Sequence, residues 1–188
     1  MNLMSYILAA MLSWSPLHAH IKHEDPVKRL ARYQSIASDI AEVANDPNET
    51  PAFSGNYARE QTGLLLASIA WHESGFHENV DTGIKRGDSG RSVCIMQVMS
   101  NQYGTLHNYT IDYLLKDRKN CIRAALGIAR NSRCKGGINT RMRAYASGSC
   151  SKREDPIKEA QVAKAARGLT RGYVLFYYSN PMKLLFQK

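Results

Sequence analysis

Several common signatures are missing from this chain. It has no CxxC pair, and its histidines do not stand at finger spacing, so structural zinc is not expected. No helix-turn-helix, RRM or finger pattern is present, so no specific nucleic-acid partner is expected. No internal repeat or low-complexity tract breaks the sequence. The apolar run near the start, Tyr6 to Leu12, is too short to span a bilayer. Acidic charge is scarce late in the chain. From Lys116 onward there are seventeen Lys and Arg against four Asp and Glu. Up to Leu115 the balance is eight against twelve. The total of +9 is therefore concentrated in the second part, which should attract polyanions.

What is present fits one globular domain. The 188 residues are 44% hydrophobic, enough for a core and too many for a disordered chain. Met1 to His20 partly look like a secretory signal. The apolar run is followed by Trp14, Pro16 and a candidate cleavage point at Ala19, but a basic start is absent. Residues 1–24 are thus expected to be a signal-like or anchoring segment. The domain would occupy 25–188, with 155–188 as a C-terminal helix and tail.

Helix signals dominate. Asp25-Pro26 opens a helix whose apolar positions recur from Val27 to Ala44, and Asn45-Asp46-Pro47 ends it. A second helix is expected from Tyr57 to His72. It is apolar nearly all round between Leu64 and Trp71, which marks a central buried helix, and Gly75 ends it. Glu78 to Arg91 read as a polar, Gly-bearing loop or small hairpin, and Val93 to Met99 as a short extended segment. Thr110 and Asp117 are expected caps for helices over 111–116 and 118–133. Gly136-Gly137 is a break, Asn139 to Ala146 a further helix, and Ser147 to Ser151 a turn. Asp155-Pro156 opens a long helix to about Tyr178, ended by Asn180-Pro181. The tail from Met182 to Phe186 is apolar, and either packs on the domain or docks on a partner. The expected class is mainly α (α+β), with a small hairpin lobe.

Four cysteines, Cys94, Cys121, Cys134 and Cys150, permit three disulfide pairings or none.

The chemistry centres on Glu73, at the last turn of the buried helix and flanked by Trp71 and Phe76. Low dielectric and the negative helix end both push a carboxyl pKa upward, toward the range of a general acid. Glycosidic cleavage needs such a donor for the leaving oxygen. His72-Glu73 with His77 has HExxxH spacing. Five residues rotate the second His by about 140° from the first, and Gly75 interrupts the helix, so a metallopeptidase site is not expected. Neither metal nor cofactor is expected elsewhere.

Three segments in order, Glu73-Ser74-Gly75-Phe76, Cys94-Ile95-Met96-Gln97 and Ala144-Tyr145, resemble the catalytic domain of lysozyme-like soluble lytic transglycosylases. These enzymes cut peptidoglycan glycan strands and share their core with goose-type lysozymes. The likeness covers about Leu64 to Cys150 and implies a lysozyme-like helical domain with the hairpin lobe beside a cleft. It implies Glu73 as acid/base, Ser74 beside it, and Met96 and Gln97 lining the cleft. It also implies Tyr145 near Glu73 or the sugar, and Ser92 on an N-acetyl group. Taken singly, Met96 reads as core, Gln97 as an ordinary polar residue and Tyr145 as a half-buried aromatic. Two positions depart from the family: Cys94 stands where Gly is usual, and Ala146 where Asn is usual.

A transglycosylase needs one carboxylate. An inverting muramidase needs a second, for which Asp81 and Asp88 are the candidates in the polar loop. The implied partner is peptidoglycan, in an extracytoplasmic setting: secreted, periplasmic or in a phage particle. In a particle, tail or capsid proteins would be further partners through the N-terminal segment or C-terminal helix. The other class considered is a nonenzymatic virion-assembly or nucleic-acid-binding protein driven by the basic second part.

Overall fold

The computed structural model describes residues 2–17, 24–100, 109–131, 138–147 and 155–179. Ala19, Cys134, Gly136-Gly137, Cys150, most of the 147–151 turn and the tail beyond Ser179 lie outside the described residues. The chain is mainly helical, with a two-stranded hairpin.

Helix α1 (Leu3–Trp14) is capped by Asn2, whose Oδ1 accepts from the Ser5 amide at 2.8 Å. Helix α2 (Pro26–Asn45) starts where Asp25-Pro26 places it, the Asp25 carboxylate accepting from Val27. Helix α3 (Ala58–Ser74) is buried from Thr62 to Ala70 on every side, as its unbroken apolar run requires. A one-turn helix α4 (Glu78–Asp81) follows it. Strands β1 (Ser92–Val93) and β2 (Val98–Met99) pair antiparallel, Ser92 opposite Met99. Helices α5 (Ile111–Lys116), α6 (Arg118–Asn131), α7 (Ile138–Ser147) and α8 (Pro156–Ser179) complete the chain.

The N-terminal apolar segment does not stand apart. Tyr6, Ile7, Ala10 and Met11 of α1 are fully buried in the common core with α2 and α3. Tyr6 meets Phe176 of α8 edge-on at 5.1 Å, and Trp14 stacks on Trp71 of α3 at 5.4 Å. The sequence showed an apolar, signal-like run there. It could not show that α3 and α8 supply aromatic partners for it.

Polar ties lock α2 to its surroundings. Arg118, at the start of α6, donates to Asp81 of α4 (2.7 Å) and Asp39 of α2 (2.5 Å). Arg32 of α2 pairs with Glu24 and donates through Nε to the Phe76 carbonyl at 3.0 Å. These bonds fix the exit of α3, where the candidate site lies.

Helix α8 lies close against α3. Ser68 Oγ donates to the Leu169 carbonyl at 2.7 Å, which places helix backbone against side chain. Two glycines allow this approach. A Cβ on Gly168 would run into the His72 ring. One on Gly172 would sit 2.9 Å from Trp14 and 3.0 Å from Ser68 Oγ. Gly172→Ala should therefore cost about 1–2 kcal/mol, overpacking outweighing the better helix propensity of alanine. Thermal unfolding would read this as a lower Tm; an unchanged or higher Tm would refute the tight seam.

Candidate active site

The end of α3 is built to turn sharply. Ser74 Oγ donates to the Ala70 carbonyl at 2.6 Å and accepts from the Phe76 amide at 3.1 Å. Gly75 (φ 58°) and Phe76 (φ 60°) are both left-handed. That conformation is costly for a bulky side chain. Phe76 is held in it by full burial against Tyr33, ring centres 5.2 Å apart, and by the Arg32 bond to its carbonyl. Ser74 is accordingly a buried capping residue, with its hydroxyl committed to the backbone.

This turn leaves Glu73 half-buried, with no hydrogen bond or ion pair to the described residues. Its carboxyl is pushed up from an ordinary 4.5 to about 7, first by burial and second by the Asp88 carboxylate. The expected apolar wall differs in one respect. Trp71 is two residues from Glu73, so the helix turns it about 160° away, onto Trp14 and α8.

Tyr145 of α7 comes to the same place. Burial, and after it the charge of Glu73, raise its phenol well above its ordinary value of 10. Its hydroxyl donates to the Met96 carbonyl at 3.0 Å, leaving the oxygen free to accept. Met96 therefore contributes its carbonyl; its side chain is fully buried core and cannot line a cleft.

The β1–β2 turn is shaped by Cys94 (φ 64°) and Gln97 (φ 48°), both left-handed. Gln97 Nε2 donates to the Cys94 carbonyl at 3.0 Å, and its Oε1 lies against Gly87, where any Cβ would collide with it. Gln97 is half-buried, beside the polar loop. A disulfide joins Cys94 to Cys121 of α6, Cα atoms 6.3 Å apart. Cys134 and Cys150 fall outside the described residues.

The two loop aspartates separate clearly. Asp81 is held by three guanidinium contacts from Arg118 between 2.7 and 3.0 Å and ties α4 to α6. It is a structural ion-pair partner and not a base for water. Asp88 is exposed and left-handed (φ 48°), and its charge reaches Glu73. Ser92 is buried and donates to Asp88 Oδ2 at 2.5 Å. Ser92 therefore positions Asp88, its hydroxyl proton being committed to that carboxylate. Ser147 Oγ donates back to the Arg143 carbonyl at 2.8 Å.

Comparison of the chain with family models, with curated proteins and with solved structures gives no match. Asp88 and Tyr145 lie within electrostatic reach of the Glu73 carboxyl, and Tyr145 is bonded in turn to the Met96 carbonyl of the β1–β2 turn. The role of Arg118 was missed because a single Arg among seventeen basic residues carries no local signal. Also missed was a groove of about 660 Å3 between α3 and α8, lined by Trp71, Lys164, Arg167 and Arg171 among others, which does not include Glu73.

Proposed function

We propose that this protein is a peptidoglycan-cleaving enzyme, a lytic transglycosylase of the lysozyme-like type, with Glu73 as its acid and base. The observation that carries the proposal is the half-buried, unpartnered Glu73 carboxyl, its pKa raised to about 7 beside Tyr145 and Asp88. A group in that state can donate a proton near neutrality and then act as a base. Glu73 would protonate the glycosidic oxygen between MurNAc and GlcNAc as the C1–O bond breaks. The substrate's acetamido group would steady the cationic sugar. The Glu73 carboxylate would then take the proton of the 6-hydroxyl while O6 bonds to C1, closing a 1,6-anhydro ring and restoring the acid. The free lone pairs of Tyr145 suit it to accept from the Glu73 carboxyl or a sugar hydroxyl. The Cys94–Cys121 bridge agrees with an extracytoplasmic protein, secreted or carried in a virion.

A second reading, an inverting muramidase using Asp88 to activate water, is favoured by the reach of the Asp88 charge to Glu73. Mass spectrometry of digested peptidoglycan separates them, since anhydro ends are lighter by one water than reducing ends. Asp88→Asn separates them independently. A transglycosylase should lose less than about tenfold in rate, and its alkaline limit should fall, because removing the neighbouring charge lowers the Glu73 pKa. A hydrolase should lose a base worth about 100-fold or more. Absence of both product types would defeat both readings.

A further inference from the structure

The outer face of α8 carries a feature that the cleavage chemistry does not use. Many described cations are held by carboxylates: Arg29 and Arg32 by Glu24, Arg118 by Asp39 and Asp81, Arg143 by Glu159. Lys164, Arg167 and Arg171 have no ion pair among the described residues, and they stand together on the groove between α3 and α8. Unpaired, solvated cations on a single face are a site for negative charge.

The same line of helix is also apolar at both ends. At about 100° per residue, Ile157, Lys164, Arg167, Arg171, Leu175 and Tyr178 fall within an arc of about 80° and run along roughly 30 Å of axis. Ile157 is 72% exposed, Leu175 52% and Tyr178 75%, three of the six large apolar side chains most open to water among the described residues. Cations in the middle and bare hydrocarbon at both ends ask for an occupant with negative charge at its surface and apolar depth beneath. A dissolved polyanion offers only the charge. Base stacking on Trp71 is blocked, because Trp14 covers one side at 5.4 Å and Arg171 lies over the ring at 5.9 Å.

We propose that this stripe of α8 seats the protein on an anionic phospholipid bilayer, Lys164, Arg167 and Arg171 meeting lipid phosphates while Ile157, Leu175 and Tyr178 enter the interface. No described helix is long and apolar enough to cross a membrane, so the attachment is peripheral. It does not depend on the proposed cleavage activity.

Vesicle co-sedimentation of the full chain tests it. The chain should bind phosphatidylcholine vesicles that contain phosphatidylglycerol, ignore pure phosphatidylcholine, and release in high salt. Lys164→Gln/Arg167→Gln/Arg171→Gln should weaken binding on the order of 100-fold. Leu175→Ser/Tyr178→Ser should weaken it about tenfold. Should the triple variant fail to fold, Arg167→Gln alone should give about a fivefold loss. No phosphatidylglycerol-dependent binding would overturn the proposal. So would full binding by the Leu175/Tyr178 variant together with displacement by duplex DNA, which would make the stripe a site for soluble polyanions.

Discussion

Glu73→Gln should reduce peptidoglycan clearing by 100-fold to 10,000-fold while leaving the fold intact, the range that general acid–base catalysis supplies. Glutamine keeps the shape but cannot give up or take back a proton. Turbidity loss of purified cell walls measures the effect; a variant that clears at more than a tenth of the wild-type rate would remove Glu73 from the mechanism. The wild-type rate should itself fall as pH rises through about 7, where Glu73 loses its proton.

The same substitution carries a stability signature that does not depend on substrate. The folded carboxyl titrates at about 7, the unfolded one near 4.5. Between those values the folded state holds a proton that the unfolded state has released. Stability therefore falls as pH rises through that window, and the cost is complete above pH 7. Each tenfold in proton affinity is worth about 1.4 kcal/mol, so the interval amounts to about 3 kcal/mol. Glu73→Gln should be relatively more stable at pH 8 than at pH 4 by about that amount, whatever constant cost the amide incurs. Urea unfolding at both pH values reads the difference; a difference that does not change with pH would mean that Glu73 is solvated in the folded protein.

The helices were legible because each carries its own boundary signal. Asp25-Pro26 starts α2 and Asn45 ends it, the left-handed Gly75 ends α3, Thr110 caps α5 by accepting from Tyr113, and Pro156 opens α8. The central place of α3 followed from its lack of a polar face. The interior of the polar loop was less legible, since its geometry depends on contacts far along the chain. Asp81 is claimed by Arg118, 37 residues later, while Asp88, seven residues on, is left beside Glu73. Nothing in the loop sequence distinguishes the two. In the candidate site, the order of Glu73, Met96-Gln97 and Tyr145 singled out segments of which Tyr145 and Met96 are joined by a hydrogen bond, but it did not show which atoms make the contacts. Met96 offers its carbonyl, and Ser74 and Ser92 spend their hydroxyls on the backbone and on Asp88. Family resemblance assigns roles by residue type. Burial and hydrogen-bond demand redistribute them, because a buried hydroxyl bonds to the acceptor it can reach.

Cys94 carries the second large expected effect. The backbone at Cys94 is left-handed (φ 64°), a conformation glycine adopts without cost. A cysteine at that position pays about 1–2 kcal/mol in backbone strain. The bridge to Cys121, 27 residues later, more than offsets it, since closing a loop of that length stabilises by about 3–4 kcal/mol on the chain-entropy account. The bridge also anchors the turn that presents the Met96 carbonyl to Tyr145 and holds the Gln97 amide. Cys94→Ala/Cys121→Ala should thus lose about 3–4 kcal/mol in urea unfolding and also lose cleavage rate through a looser turn. Cys94→Gly/Cys121→Ala should recover about 1 kcal/mol of that loss by relieving the strain. Paired variants are preferable to added reductant, which would act on any other cysteine as well. If both pairs unfold at the wild-type urea concentration and cleave at the wild-type rate, neither the cross-link nor the strain it overcomes shapes the site.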